Sequence, residues 1–402
     1  MPWLVMSEFS INIARGIFTL AIGMLLYEQS ESLWAFAFVF ASEFFIGLFL
    51  QGLAGSLVDK IGPSKVLLTA TFASSLVLGA PFLLTGDLNT VILIQIAICL
   101  NLFRPFIRNS VFVLTPELVE KSKLEKLNAY ISMALQSGQI IGMGLAGLLL
   151  ELFESVWTIY AVFWGYLGAL IFYGLATLKH KRIQVQKGKA ENQSKGSWKE
   201  ALQFLRTHHH AVYLYLVATL DFMVLGLFNL LLAPAVKHNF DNLPRWLTFI
   251  DGAFAAGAIL GGIFIAKRQF DGRQRLWLTT LSMAMVMSVF VGYALNWSVW
   301  LIMLFTFAFG ILTTVSTVTW MSAQQRIAPS EIKGRLASVR YISNACFASI
   351  AVFIVSFAND VNLTLASFAA VACIGFMLSL AWMFNSSMES EPSPSTEPET
   401  SI

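Results

Sequence analysis

Apolar residues run through this chain in stretches of about twenty, broken by short polar links, which is the length a helix needs to cross a bilayer. Such stretches fall at 4–27, 32–54, 65–86, 90–112, 127–150, 154–178, 210–234, 246–266, 275–294, 297–319, 336–358 and 362–384. None shows the short alternating segments, about ten residues each, of a membrane β-barrel. The pattern predicts an all-α membrane protein with twelve transmembrane helices in two bundles of six. The longest polar link, KHKRIQVQKGKAENQSKGSWKE from Lys179 to Glu200, separates spans 1–6 from spans 7–12. The expected layout is a first bundle over 1–178, a linker over 179–209, a second bundle over 210–385 and a tail over 386–402. That tail is acidic, Pro/Ser-rich and poor in apolar residues, so it is expected to be disordered.

Composition sharpens this picture. Of 402 residues, 57% are hydrophobic and 12% charged; soluble domains carry about 25% charged residues. An ordinary cytosolic enzyme is excluded. The first apolar run starts almost at Met1 with no basic segment before it, so it reads as a retained helix and not as a cleaved signal peptide. Cys99, Cys346 and Cys373 sit in separate apolar runs without metal-ligand spacing and read as small apolar fillers. No metal and no cofactor are expected.

The basic residues set the orientation. Of 26 Lys and Arg, twenty-one lie in the links after spans 2, 4, 6, 8 and 10 or at their edges, two (Lys237 and Arg245) lie in links on the opposite side, and Arg15, Arg104 and Arg108 lie within spans. Basic links face the cytoplasm, so both termini are expected there, in a cell (inner) membrane. Within the linker, Ser197 and Glu200 form a capping box. Trp198, Ala201, Leu202 and Leu205 then share one face of a short amphipathic helix, expected to lie on the membrane surface. His208, His209 and His210 follow, but consecutive helical residues do not share a face, which argues against a metal site.

Ionisable residues inside spans are costly and therefore informative. Asp221 lies near mid-span in span 7 and is the candidate carrier of a coupling proton. Arg15 in span 1 and Glu43 in span 2 reach similar depth and are expected to pair across the cavity. Arg104 in span 4 lies nearer the inner face, and Arg108 reads as part of the inner interface. Asn101, Tyr130, Gln136, Gln139 and Asn229 are candidate polar contacts for a bulky amphipathic solute. Small residues allow close helix approach in lipid. Gly138, Gly142 and Gly144 in span 5, with Gly252, Ala256, Gly257 and Gly261 in span 8, are expected at a sliding contact between the halves.

The two halves also echo each other. After span 2 the chain reads Gly55-Ser-Leu-Val-Asp59-Lys60-Ile-Gly62, and after span 8 Gly262-Ile-Phe-Ile-Ala266-Lys267. Pro116-Glu117 after span 4 is echoed by Pro329-Ser-Glu331 after span 10. Tandem duplication of a six-span unit is the expected origin.

The first of these loops, through Gly55, Asp59, Lys60 and Gly62, resembles the signature loop of the major facilitator superfamily. Thr115-Pro-Glu-Leu-Val119 with Leu124, Asn128 and Ala129, and Gln325-Arg-Ile-Ala-Pro329 with Gly334 and Arg335, resemble the macrolide-efflux and enterobactin-exporter branch of that superfamily. Pro63 and Ser64 depart from the signature's basic pair. Met143 stands where antiporters of the superfamily often carry the proline of a Gly-Pro pair.

The resemblance implies a secondary transporter working by alternating access, in which Asp59 contacts the start of helix 11 near Arg335 and steadies the outward-open state. It implies export of a siderophore or a drug-like solute by proton coupling, as an antiporter, and a monomer able to function alone. Import of a small nutrient or metabolite on the same fold is the alternative. Membrane lipid is the expected surrounding, with no nucleic-acid partner. No Walker loop, H-E-x-x-H or G-x-S-x-G motif is present.

Overall fold

The computed structural model describes residues 2–30, 33–84, 89–153, 155–186, 196–240, 245–268 and 270–389. Helices α1 (Pro2–Ser30), α2 (Leu33–Ile61), α3 (Pro63–Leu84), α4 (Thr90–Glu117), α5 (Leu124–Leu152) and α6 (Ser155–Gln186) make the first half. The short α7 (Trp198–Thr207) follows. Helices α8 (His209–Asn239), α9 (Arg245–Ile265), α10 (Gly272–Ala294), α11 (Val299–Ile327), α12 (Lys333–Val361) and α13 (Leu363–Glu389) make the second half. Among the described residues there is no strand. Eleven of the long helices are long and apolar enough to cross a membrane, and α2, at 29 residues, completes the set of twelve long ones. The predicted tail lies largely outside the described residues, as does 187–195 of the linker.

Each half has its own apolar core. Leu4, Ile17, Leu25, Leu67, Leu93 and Tyr173 lie in the first, and Leu227, Phe228, Val286, Phe290, Phe309 and Trp320 in the second. Around the outside, Phe49, Trp164, Trp300 and Phe353 are exposed. Large apolar side chains spread over the whole perimeter suit a lipid surround rather than water.

Two close helix pairs repeat between the halves. A Cβ added at Gly138 would meet the Phe9 carbonyl oxygen at 2.9 Å, and one at Gly142 would strike the Ile13 carbonyl, so α5 lies backbone to backbone on α1. Likewise Gly257 and Gly261 place α9 against Phe307 and Ile311 of α11. These glycines therefore serve packing inside each half, which corrects the expectation of a sliding contact between halves. Gly144 and Gly252 have open space beside them. In α9 it is Gly262 that meets the other half, its Cβ position filled by Met133 of α5.

The predicted loop over Gly55–Lys65 is mostly helix. The α2 helix continues to Ile61, with Lys60 in its last turn where a cation complements the helix dipole. It stops at Gly62, the one described glycine with positive φ (96°), whose N–H closes onto the Val58 carbonyl at 2.9 Å. Glycine adopts that left-handed geometry without strain, and Pro63 at once opens α3. A single residue thus reverses the chain.

Ser197 caps α7 as expected, the Glu200 N–H donating to its Oγ at 3.2 Å, but the Glu200 side chain accepts from Ser197 Oγ at 3.0 Å, not from the Ser197 N–H that a full capping box uses. The apolar face of α7 packs on protein, however. Ala201 is buried with Tyr215, Ala328, Ile332 and Leu336, and Trp198 Nε1 donates to Ser56 Oγ of α2 at 2.8 Å. Only Leu202 of the predicted membrane face stays exposed. The surface helix expected on lipid is a strap across the end of the bundle.

Candidate functional site

The halves meet at the end of the bundle where α1 begins and where α2, α4 and α11 finish. Hydrogen bonds and ion pairs join the halves there in two groups. In the first, Asp59 Oδ1 accepts from the Gly334 N–H at 2.6 Å, and Oδ2 accepts from the Arg335 N–H at 3.2 Å and its guanidinium at 2.7 Å. Both side chains are almost fully buried. Beside them, Gly55 and Gly334 stand face to face: a Cβ on Gly334 would meet the Gly55 carbonyl oxygen at 2.6 Å. Asn109 Nδ2 donates to Ser338 Oγ at 3.0 Å and joins α4 to α12.

The second group joins α5 and α4 to α11. Asn128 Nδ2 donates to Ser322 Oγ at 2.8 Å and to Gln325 Oε1 at 2.7 Å, and Gln325 Nε2 donates to the Phe112 carbonyl at 3.0 Å. Arg326 pairs with Glu125 at 3.1 Å. Glu125 stands in the first turn of α5, its side chain buried against Arg326 from the last turn of α11.

Above this closed end lies a cavity of about 310 Å³ between the halves. From α1 it takes Glu8, Asn12, Arg15 and Thr19; from α4, Asn101, Arg104, Arg108 and Thr115; from α12, Arg340, Tyr341 and Asn344. These sets follow the three- and four-residue spacing of one helix face. Ile11, Phe18, Ile22, Leu100, Phe222 and Met321 supply apolar wall. The size is that of a small-molecule site. Tyr173 Oη donates to Glu8 Oε1 at 2.6 Å. The Tyr341 ring lies under two guanidinium groups, Arg340 at 5.5 Å and Arg108 at 5.9 Å, one from each half.

The structure gathers some of the predicted residues and scatters others. Arg15, Arg104 and Asn101 line the cavity; Asn101 also donates to Ser42 Oγ at 3.0 Å. Arg108, expected at the inner interface, is on the cavity wall as well. Glu43 falls outside the residues whose side chains are described, and so does its predicted pairing with Arg15. Asp221 is buried but not on the wall: its Oδ2 accepts from Ser316 Oγ at 2.8 Å, which meets Thr279, which in turn accepts from Trp320 Nε1. It belongs to a hydrogen-bonded chain inside the second half, with its neighbour Phe222 facing the cavity. Gln136, Gln139 and Asn229 are off the wall, Asn229 being exposed. Tyr130 lies under Lys126. Gly55, Asp59 and Arg335 are in the clasp, Gly62 makes the turn, and Lys60 is exposed.

Sequence reasoning overlooked Glu8, which stands too near the start of its span to look buried. Its signal was its spacing: Glu8, Asn12 and Arg15 at i, i+4 and i+7 make a polar face on an otherwise apolar helix. Arg340 was counted only as a basic residue at an edge.

Two six-helix bundles that enclose a polar cavity and close over it at one end define a multi-pass membrane transporter. The chain belongs to the Major Facilitator Superfamily, whose family model matches residues 4–352. Solved structures of the same fold include a bacterial homologue of the iron transporter ferroportin in an outward-facing state, with 15% identity and TM-score 0.74 over 96% of this chain and 99% of that one. The E. coli fucose:proton symporter aligns with 13% identity and TM-score 0.67 over 95% and 98%. The human organic anion transporter MFSD10 (TETRAN) aligns with 14% identity and TM-score 0.70 over 95% and 98%. At these identities the likeness shows the fold. No curated protein matches significantly.

Proposed function

We propose that this protein is a secondary transporter that exports a bulky organic solute, siderophore or drug-like, across the cell (inner) membrane by alternating access. The observation that carries the reading is the cavity itself: it lies between two separate cores and is sealed at one end by contacts that only the halves together can make. Rocking the halves apart at that end and together at the other would move a bound solute across. The excess of Lys and Arg on the sealed side supports a cytoplasmic placing of that side and of both termini, and with it an outward-open conformation. The resemblance to the macrolide-efflux and enterobactin-exporter branch, through Thr115–Val119 and Gln325–Pro329, supports export. Nothing in the packing calls for a second copy, and the protein is taken to work as a monomer in lipid.

Protons are the proposed coupling ion, and Glu8 is the better placed carrier. Among the described residues it is the carboxylate on the cavity wall, whereas Asp221 is held behind it by Ser316. Arg15 and Arg108 lie within electrostatic reach of Glu8, so its protonation changes the charge that a solute meets.

The test is a deletion strain compared with its parent by untargeted analysis of cells and medium. Retention inside the cells of a compound that the parent releases supports export. Loss of uptake of a medium component, with nothing retained, overturns export and supports import.

A further inference from the structure

The charges on the cavity wall identify the chemistry of the solute. Among the described residues four guanidinium groups line it, Arg15, Arg104 and Arg108 from the first half and Arg340 from the second, against one lining carboxylate, Glu8. Glu8 is itself engaged by Tyr173. Arg15 and Arg104 lie within electrostatic reach of Arg108, and Arg104 within reach of Arg15. Asp221 lies within electrostatic reach of Arg340, but its Oδ2 is taken up by Ser316. Arg340 is 93% buried by exposure (7%), and its Nε has no hydrogen-bond partner among the described residues. One turn further on, Asn344 Oδ1, also buried and on the wall, has no partner either.

Like charges gathered in a low-dielectric site repel strongly unless something of opposite sign joins them. A cation meets that repulsion. A neutral solute offers the guanidinium groups of Arg15, Arg108 and Arg340 no opposite charge. An anion with acidic oxygens matches the planar fork of Arg in geometry as well as charge. The apolar wall of Ile11, Phe18, Ile22 and Leu100 adds room for a hydrocarbon or aromatic frame.

We propose that the solute is an organic oxyanion carrying two or more acidic groups on an apolar frame, gripped between the arginines of the first half and Arg340 of the second. This deepens the transport reading, resting on it only in taking the cavity as the place where cargo sits. The anion bridges the halves, since its charge is shared by Arg340 on α12 and the arginines on α1 and α4. Inorganic phosphate offers the same oxyanion chemistry without the frame.

Two xanthene dyes of matched frame test this on the purified full-length protein in detergent. Carboxyfluorescein carries the acidic groups, and tetramethylrhodamine methyl ester carries a positive charge. Fluorescence anisotropy is expected to show saturable binding of the first and none of the second. Arg15→Gln and Arg340→Gln are each expected to weaken anion binding at least about tenfold. Arg340→Lys, which keeps the charge but loses the fork, is expected to fall between wild type and Arg340→Gln. Size-exclusion and thermal unfolding profiles confirm that each variant is folded.

Binding of the cationic dye as well as the anionic one overturns the proposal. So do folded Arg15→Gln and Arg340→Gln variants with unchanged affinity for the anion. Full displacement of carboxyfluorescein by inorganic phosphate at equal concentration overturns the requirement for an organic frame. Failure of transport is read separately, in proteoliposomes loaded with carboxyfluorescein: binding without release leaves the oxyanion site standing and removes the transport reading, whereas transport of the cationic dye does the reverse.

Discussion

The carboxylate of Asp59 caps the first turn of a helix in the other half of the molecule: it accepts from the Gly334 N–H at 2.6 Å and from the Arg335 guanidinium at 2.7 Å. The N-cap residue of α12, Ile332, has no side chain that can do this. The first N–H groups of a helix lack partners within it, and here those of α12 are satisfied only while the halves are closed. We propose that the clasp is a switch contact. Opening exposes both a helix end and a cation to water, and closing buries them together.

Asp59→Ala would leave Arg335 buried without its partner. Breaking a buried pair costs about 3–5 kcal/mol, all of it charged to the closed form. The expected outcome is a shift toward a form open at the α2–α12 end, read by spin-label distances between the ends of α2 and α12. Gly334→Ala should act in the same direction, since its Cβ would press on the Gly55 carbonyl and on Asp59 Oδ1. Unchanged distances in both variants would remove Asp59 from control of the closure.

The second group of contacts should add to the first. Asn128→Ala strips partners from Ser322 and from Gln325 Oε1. Leaving buried polar groups unsatisfied costs about 1–3 kcal/mol. The two clasps share no residue, so the effects of Asp59→Ala and Asn128→Ala on the same opening equilibrium are expected to sum to within about 0.5 kcal/mol. The same distance measurement on the double variant checks this. A double variant no more open than the single ones would mean that only one clasp holds the closed form.

Gly142→Ala separates packing from gating. The added methyl would run into the Ile13 carbonyl and the Gly16 Cα of α1, which are backbone atoms and cannot swing aside. Overpacking of this kind costs about 1–3 kcal/mol. The expected result is a lower melting temperature for the first half, with the distance between α2 and α12 unchanged. A normal melting temperature with altered distances would return this glycine to the sliding role suggested by the sequence.

That reversal marks the boundary of what the sequence discloses. The twelve long helices were legible because the bilayer imposes its thickness on every span, and the closure by Asp59 was implied by the resemblance of its loop. Which way a glycine face points was not legible: Gly142 and Gly262 look alike in sequence, yet one meets α1 in its own half and the other meets Met133 across the interface. The same holds for charge. Asp221 is as deep in its span as Arg15, but a rotation about the helix axis turns it toward Ser316 and away from the cavity. Arg340, near the start of its span, lines the cavity as well, because depth along one helix says nothing about what the neighbouring helices leave open.

Glu8 and the arginines should make solute binding and proton binding help each other. Among the described residues Glu8 is the one lining carboxylate, facing Arg15 on its own helix and Arg108 on α4, with Tyr173 of α6 and Asn12 of α1 as its neutral neighbours. An anion that draws the arginines to itself leaves Glu8 close to added negative charge, which favours its protonated form. Anion binding is then expected to take up protons, and by linkage a lower pH strengthens binding. The solute and the proton would travel in the same direction, unlike the strict exchange expected of an antiporter, a difference in keeping with Met143 at the place of the antiporters' proline. Outward movement would be driven by the membrane potential on the remaining negative charge, worth about 2.3 kcal/mol per charge per 100 mV. Calorimetry of carboxyfluorescein binding in buffers of different ionisation enthalpy counts the protons. Uptake is expected in the wild type and in Asp221→Asn, and its loss in Glu8→Gln. Uptake that survives in Glu8→Gln but disappears in Asp221→Asn would move the coupling proton to the second half, and proton release on binding would restore exchange as the mechanism.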